Sequence, residues 1–373
     1  MTIKAFCCYI LAFTLTTWVA AVNAEEFHYH YVSLDVGALR IEPPPVVDPS
    51  SFIFFDPAAI VNGGRVYGTF YTCVNVCAPE VAVYAHGTLT RVQPGRAVAA
   101  NNEGTIGGSV VVDPVLFNEQ AALFHEDKVT LIPRQPGEFS SHVMQISDSG
   151  LAIIQSVDVN GNPTYFLYRH GQETLINLGV RDIFGGQDLQ INDEGSISGT
   201  ALYQVPAPPT LPFGSDRAFV FSRTGVTTLL NPLPTDQDSW GLAINRHGGV
   251  LGYSFTNGKA LEHIGIWNRH GNFQTYFTEG TKEIPTVSNR LLFNERNLIV
   301  ITRTTDGNSY VVPERGVRLD LADITDGVPP SVVSPLQIIV DMNDRGDMIG
   351  LNVFGTSTFL LERTDEPRQS EGE

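Results

Sequence analysis

The residues best suited to chemistry are a histidine, a tryptophan and several charged side chains in the middle of the chain. They are His142, Arg181, Asp182, Asp188, Asp236, Asp238 and Trp240. An indole beside carboxylates is suited to stacking against a sugar ring, and neighbouring carboxyl groups can serve as general acid and base. The structural alternative is that the acids cap turns and the tryptophan packs between sheets. These residues are therefore candidates for ligand binding, and the sequence assigns no catalytic residue.

Metal ions have weaker candidates. Asp320, Asp323 and Asp326 stand three residues apart beside Gly327, a spacing that differs from the ligand pattern of a calcium loop. We expect solvated carboxylates there, with bound calcium as the minor alternative. Arg-His-Gly triplets at residues 169–171, 246–248 and 269–271 occupy different kinds of turn, so their histidines are not expected to converge. The sequence thus predicts no metal site and no cofactor.

Residues 1–24 have the layout of a cleaved secretory signal. Lys4 precedes an apolar run over residues 5–21, and Val-Asn-Ala at residues 22–24 forms a small-residue cleavage site. The alternative is a membrane anchor, because a run of about 18 apolar residues is just long enough to span a bilayer. A cleaved signal predicts a secreted or periplasmic protein of a Gram-negative bacterium, with no membrane insertion.

The mature chain is strongly acidic. The formal net charge of the whole sequence is −17, and removal of Lys4 with the signal makes it −18. Such a charge argues against nucleic acid as a partner, because its phosphates require basic patches. The expected partner is a glycan or an extracellular protein. We expect the protein to be a monomer. Cys73 and Cys77 remain after cleavage, and in an oxidising compartment we expect them to form a local disulfide rather than two free thiols.

A degenerate repeat fills the rest of the chain at a period of roughly 47 residues. Its copies, such as INDEGSISG at residues 191–199, share one anchoring position. That position is occupied by Gly64, Gly104, Gly150, Gly195, Gly248, Asn297 and Gly346. Glycine and asparagine best tolerate a positive φ, so the column predicts a tight turn between two strands. Glycine also recurs four positions after the anchor, which predicts the close approach of a neighbouring sheet.

Each copy continues with an aromatic-rich strand such as RAFVF (residues 217–221), a tight turn and a last strand such as VTTLL (residues 226–230). Four antiparallel strands at this period make one blade of a β-propeller. At these residues the chain resembles the HAF-type extracellular repeat, named for an aromatic-rich strand like that at Ala218-Phe219. The resemblance covers nearly all of residues 52–363. It implies a bacterial extracellular protein and brings no catalytic residues.

Seven copies predict an all-β, seven-bladed propeller over residues 25–363, followed by a polar disordered tail at residues 364–373. The seventh copy lacks a fourth strand, whereas Phe27–Leu34 resembles a fourth strand without a blade. We expect this segment to complete the last blade, since closing the ring removes the exposed sheet edges. An open β-solenoid is the alternative.

The propeller topology places the loops between blades, and those between second and third strands, on one face. Function on such scaffolds usually lies in the longer loops, so we expect a ligand where the chain leads into blades three to five. Catalytic signatures such as G-x-S-x-G, H-E-x-x-H and the P-loop are missing from the sequence. A non-catalytic binding module is therefore favoured, and an extracellular carbohydrate-active enzyme, a polysaccharide lyase or hydrolase, is the alternative.

Overall fold

The computed structural model describes residues 27–44, 52–74, 77–113, 118–176, 182–184, 189–203, 215–256, 261–280, 291–302, 308–329, 338–351 and 357–364. Within these ranges the chain is built from strands, with one turn of 3-10 helix at Val36–Ala38. No helix in these ranges is long and apolar enough to cross a membrane. The proposed signal lies outside the described residues, as does the predicted polar tail except for Thr364, which is the last residue of a strand.

The strands of the first half of the chain follow the order of the repeats. They are β1 (His28–Ser33), β2 (Arg40–Glu42), β3 (Phe52–Ile60), β4 (Val66–Cys73), β5 (Cys77–Ala85), β6 (Thr88–Pro94), β7 (Arg96–Ala100), β8 (Ile106–Asp113), β9 (Asn118–His125), β10 (Lys128–Leu131), β11 (Glu138–Ile146), β12 (Ala152–Asp158), β13 (Pro163–Arg169) and β14 (Gln172–Leu175).

The strands of the second half continue the same pattern. They are β15 (Asp182–Phe184), β16 (Gln190–Ile191), β17 (Ile197–Tyr203), β18 (Ser215–Phe221), β19 (Thr227–Leu230), β20 (Asp238–Ile244), β21 (Val250–Phe255), β22 (Leu261–Trp267), β23 (Phe273–Gly280), β24 (Leu291–Phe293), β25 (Ile299–Thr302), β26 (Ser309–Val312), β27 (Leu319–Asp320), β28 (Thr325–Asp326), β29 (Ile338–Met342), β30 (Met348–Leu351) and β31 (Thr358–Thr364).

These strands form seven antiparallel sheets, which are the seven blades of a β-propeller. Blades one to six begin at β3, β7, β11, β15, β20 and β24, and blade seven begins at β29. In blade four the inner strand is split into β15 and β16, both of which pair with β17. Blades one and seven gain a fifth, parallel outer strand, β2 and β28 respectively. The predicted all-β, seven-bladed architecture is confirmed.

The N-terminal strand closes the ring as predicted. β1 pairs antiparallel with β31 over six residues, with Tyr31 opposite Leu361. Tyr29 and Tyr31 are buried, and the Tyr31 ring lies 5.7 Å from that of Phe359. Seven apolar clusters occur among the described residues, and each joins two adjacent blades. The first and last copies of the repeat are thus held together like any other neighbours.

The anchoring column forms the turn between the first and second strands of each blade. Its six glycines and Asn297 all have positive φ values, from 62° at Asn297 to 92° at Gly346. We call the face that carries these turns the turn face, and the opposite face, where the inner strands begin, the loop face. On the loop face of blade one, the Cys73–Cys77 disulfide joins the ends of β4 and β5, as predicted.

In five of the seven blades, a buried amide three residues before the anchor ties the turn to the next blade. The five residues are Asn101, Asn192, Asn245, Asn294 and Asn343, each at most 5% exposed. In Asn294, Oδ1 accepts the backbone N–H of Leu298 at 3.0 Å, and Nδ2 donates to the carbonyl of Asn343 in the next blade at 3.1 Å. Asn343 does the same toward the carbonyl of Val61 at 3.1 Å, across the point of ring closure. Each amide therefore shapes its own turn and fastens a neighbour.

The glycines four residues after the anchors have a role that differs from the prediction. A Cβ on Gly68, Gly108, Gly252 or Gly350 would collide with a carbonyl oxygen of the inner strand in the same blade, not with a neighbouring sheet. The inner strand of each of these blades carries a β-bulge beside the glycine. In these four blades the glycine is thus required by a close approach within the blade, whereas blade three has the same bulge with Ile154 at this position.

We predict that Asn294→Ala destabilises the fold by about 2–4 kcal/mol, because it leaves buried backbone groups in two blades without partners. Asn268→Ala is the matched control. Its Oδ1 accepts the same two turn N–H groups, two and four residues ahead, but the residue is exposed and occupies a turn at the outer side of blade five. Urea unfolding of both variants measures the difference, and equal losses of stability would show that the cross-blade bond contributes nothing.

Candidate functional site

A central cavity of about 610 Å³ runs between the inner strands of the seven blades. On blade five it extends from Trp240 to Arg246, and on blade seven from Ile338 to Asp344. Six residues of extended strand correspond to about 20 Å, so the cavity is long relative to its volume. Volumes of about 300–1,000 Å³ are typical of small-molecule sites.

One residue of each inner strand lies toward the loop face, eight positions before the anchor, and among the described residues at this position Trp240 and Ile338 line the cavity. Asp56, Arg96, His142, Trp240 and Ile338 occupy this position in the blades where it is described. Each lies two residues before the bulged residue of its strand, so their places in the blades are equivalent. We call these five the mouth residues. Four of them carry polar groups, whereas the bulged residues that follow are all apolar.

The mouth residues of blades one to three belong to a polar cluster. Arg96 forms an ion pair with Glu119 at 2.9 Å, and Glu119 also accepts the hydroxyl of Ser109 at 2.8 Å. Asp56 is exposed to solvent but is flanked by protein in this concave region, and burial raises its pKa against the opposing effect of Arg96. Burial likewise raises the pKa of Tyr71. The cluster thus contains the guanidinium of Arg96, held by its ion pair with Glu119, together with Asp56 and Tyr71, whose pKa values are raised.

His142 is the predicted site residue that joins this cluster. Burial lowers its pKa below the usual 6.5, and the nearby Glu119 opposes the shift. The imidazole is therefore neutral at pH 7, with a ring nitrogen able to accept a proton or a hydrogen bond.

Trp240 lies at the same level on the other side of the cavity. It is half-buried, its Nε1 donates to Asp216 at 2.9 Å, and its ring meets that of Phe255 edge-on at 5.1 Å. Burial raises the pKa of Asp216, and the indole hydrogen bond opposes this by favouring the carboxylate. The indole is thus held by its nitrogen and by one packed edge while it lines the cavity.

The two neighbouring acids stabilise the loop that leads into blade five. Asp238 is 4% exposed, and its Oδ1 accepts the backbone N–H of Asp216 at 3.0 Å. Asp236 accepts the hydroxyl of Ser254 at 2.6 Å, and that hydroxyl accepts the backbone N–H of Leu233 at 2.8 Å. Neither lines the cavity. Both arrangements match the structural alternative, in which the acids cap turns.

The structure brings together only some of the predicted residues. Arg181 and Asp188 lie outside the described residues, and the side chain of Asp182, in β15, is also undescribed. Sequence reasoning missed Asp56, Arg96 and Tyr71. The first two carried a usable signal, since they occupy the same repeat position as His142 and Trp240. Among the described residues, no three His, Cys, Asp or Glu side chains are arranged to hold a metal ion.

We predict that His142 makes folding stability fall as the pH drops below the usual histidine pKa of 6.5. Its pKa is lowered in the folded state, so in this range the unfolded chain binds more protons, and the slope reaches at most about 1.4 kcal/mol per pH unit. Urea unfolding between pH 7 and about pH 5 should show a shallower loss for His142→Gln than for wild type. His270→Gln, at an exposed turn, controls for loss of an imidazole. Parallel curves for wild type and His142→Gln would contradict the prediction.

No protein-family model matches the chain, and no curated protein matches it. Solved structures with a similar fold include selenomethionine-substituted virginiamycin B lyase from Staphylococcus aureus, at 11% identity over 90% of this chain and 99% of that one, with a TM-score of 0.46. A streptogramin B lyase has 12% identity over 90% and 98% of the two chains, with a TM-score of 0.47. An oligogalacturonate lyase in complex with manganese has 12% identity over 85% and 97%, with a TM-score of 0.37. At these identities the likeness concerns the propeller fold alone.

Proposed function

We propose that the chain is an exported, non-catalytic propeller that binds a neutral glycan at the loop-face mouth of its central cavity. The observation that carries this proposal is Trp240, an indole that lines the cavity and is held in place by Asp216 and Phe255. An aromatic ring fixed by its neighbours offers a large contact area at little cost in conformational entropy. Sugar rings present apolar faces that suit such a surface.

The polar mouth residues supply the hydrogen bonds that a sugar needs. Asp56 accepts, Arg96 donates, and the neutral His142 can do either, so the hydroxyl groups of a neutral sugar find partners of both kinds. A net charge of −17 for the whole chain, −18 without Lys4, repels polyanions at long range. The disulfide at Cys73–Cys77 suits an oxidising compartment, which supports export by the N-terminal segment.

A second candidate is an extracellular carbohydrate-active enzyme, and the cluster of blades one to three favours it. Residues with shifted pKa values gather at functional sites, and here burial raises the pKa values of Asp56 and Tyr71 while lowering that of His142. A neutral base beside a protonated phenol and a guanidinium suits proton transfer on a bound sugar.

The binding proposal is tested by titrating neutral oligosaccharides into the mature protein while recording tryptophan emission. Trp240 and Trp267 are the tryptophans outside the signal, and Trp267 is fully buried with its Nε1 bonded to the carbonyl of Asn231. A Trp267→Phe background isolates the signal of Trp240. We expect saturable changes in emission, and calorimetry should show at least about tenfold weaker binding for Trp240→Ala, equivalent to about 1.4 kcal/mol.

Asp320→Asn is the matched control for loss of a carboxylate, since Asp320 is in the outer strand of blade six. Asp216→Asn replaces the charged acceptor of the indole N–H with a neutral amide, which holds the indole less firmly. The first should leave binding unchanged and the second should weaken it. Tight binding of a polyanion, or binding insensitive to both Trp240→Ala and Asp216→Asn, would place the site on another surface.

The enzyme candidate predicts turnover that depends on the mouth residues. Incubation of oligosaccharides with wild type should release shorter products, and Asp56→Asn and His142→Gln should each lower the rate at least about 100-fold, the usual contribution of a general acid or base. Glu126→Gln, at an exposed turn, is the control. Products formed equally by all three variants would indicate a contaminating activity, and binding without products would leave the non-catalytic proposal standing.

A further inference from the structure

The central cavity is closed along its sides. In the part of the chain that the structure describes, inner strands of all seven blades line it, and apolar clusters fill the space between adjacent blades. A ligand therefore reaches the interior along the axis. The cavity is also narrow, since its volume of about 610 Å³ extends over about 20 Å of strand. A space of this shape admits one extended chain, end first, and excludes a chain that is branched or cyclic.

Halfway along the cavity, the residues five positions before the anchors form one level of the lining, which we call the middle level. They are Ala59, Ala99, Gln145, Gln190, Ala243, Leu292 and Asp341. Four of the seven are apolar, whereas the adjacent blades three and four both contribute a glutamine. On blade seven, Asp341 Oδ2 accepts the backbone N–H of Ile60 at 2.9 Å and so holds the two ends of the ring together. The two glutamines are thus the neutral polar side chains of this level.

Gln145 and Gln190 are available to a ligand. Each is partly exposed, and because each lies on an innermost strand, its accessible surface faces the cavity. Within the described residues, neither side-chain amide forms a hydrogen bond. The lining asparagine two residues after Gln190 differs, since Asn192 accepts the N–H of Ser196 and donates to the carbonyl of Asn245. A free carboxamide offers two N–H donors and an oxygen acceptor, so the pair suits hydroxyl groups, each of which donates and accepts.

The middle level lies within reach of a sugar chain that starts at the mouth. Ala243 follows Trp240 by three residues of strand, a separation of about 10 Å along the axis. A chain that stacks on the indole and continues along the axis therefore brings its end to Gln145 and Gln190. The three alanines of this level leave space beside the amides. The end of the chain, not its middle, thus meets the free hydrogen-bonding groups.

We propose that the glycan is an unbranched neutral chain that enters the cavity end-on from the loop face, with its terminal sugar hydrogen-bonded to Gln145 and Gln190. The proposal rests on the function proposed above and adds the form of the chain and its mode of binding, in which chain ends are bound and internal stretches are not. The closed wall carries it, because a ligand without a free end does not fit inside. The two free amides fix where that end lies.

Three pairs of oligosaccharides test the requirement for a free, unbranched end. They are maltohexaose with α-cyclodextrin, cellotetraose with xyloglucan heptasaccharide, and mannopentaose with digalactosyl-mannopentaose. Both members of a pair share the backbone sugar and linkage, and the second member is cyclic or branched. Calorimetry and Trp240 emission in the Trp267→Phe background report binding, because Trp240 lines the cavity. In each pair whose linear member binds, we expect the second member to bind at least about tenfold more weakly.

Matched variants locate the end of the chain. Gln145→Leu and Gln190→Leu each remove an amide that forms no hydrogen bond within the described protein, so the thermal midpoint should stay unchanged. Affinity for the linear chain should fall about three- to tenfold in each. Gln172→Leu is the control, since Gln172 is exposed, lies on the outer strand of blade three and does not line the cavity. It should change the affinity less than twofold, and Gln145→Phe, which fills the middle level, should lower it at least about tenfold.

The outcomes separate this proposal from the one on which it rests. Equal affinity within a pair, or binding that Trp240→Ala weakens and the variants of Gln145 and Gln190 do not, would show a glycan lying across the mouth. That result would overturn end-on entry and leave the glycan site at Trp240 standing. If none of the three linear chains binds, both proposals fail.

Discussion

The propeller depends on a hydrogen bond that leaves one blade and ends in the next. A blade cannot bury both of its faces alone, and the apolar clusters between blades are non-directional, so they do not by themselves fix the rotation between neighbours. The buried asparagines supply the direction. Because one amide shapes its own turn and also reaches a carbonyl of the following blade, as in Asn343 toward Val61, the local turn and the ring geometry are specified together. An unpaired amide at these buried positions costs about 1–3 kcal/mol, which penalises any other arrangement of the blades.

The same turns set the position of the candidate site. In blades one, two, three, five and seven the inner strand starts at the loop face, passes through a bulge and ends in the anchored turn. The mouth residues therefore lie a fixed number of residues from a fixed point. The glycine of the second strand allows the bulge, since at Gly108 and Gly252 the carbonyls of Arg96 and Trp240 occupy the space of a Cβ. The bulge turns an apolar residue toward the cavity and leaves the mouth residue above it. In blades one, two and five, structural glycines thus help to place Asp56, Arg96 and Trp240.

The fold was predictable because its signals are local and repeated. Glycine or asparagine at seven equivalent positions, with alternating apolar residues on both sides, is visible in one sequence, and the structure gives all seven a positive φ. The closing strand was predictable because the seventh copy of the repeat lacks a fourth strand, and Phe27–Leu34 has the pattern of such a strand without a blade of its own. The role of the glycine column was assigned wrongly to a neighbouring sheet. A bulge is a register shift between two strands, and no single strand reveals it.

The candidate site was harder to predict from the sequence than the fold was, for a physical reason. Trp240, Asp236 and Asp238 were grouped by closeness in sequence, whereas a propeller groups residues by their level along the axis. Asp56, Arg96 and His142 are 40 and 46 residues apart in the chain and share a level because each stands eight positions before its anchor. Asp236 and Asp238, although adjacent to Trp240, stabilise a loop. Columns of a repeat therefore identify candidate sites better than windows of sequence do, and the column with the most varied polar side chains is the one to inspect. Structural columns vary less, since five of the seven blades place an asparagine at the same buried position and each of these amides donates to the next blade. An asymmetric ligand at the axis instead requires a different group from each blade.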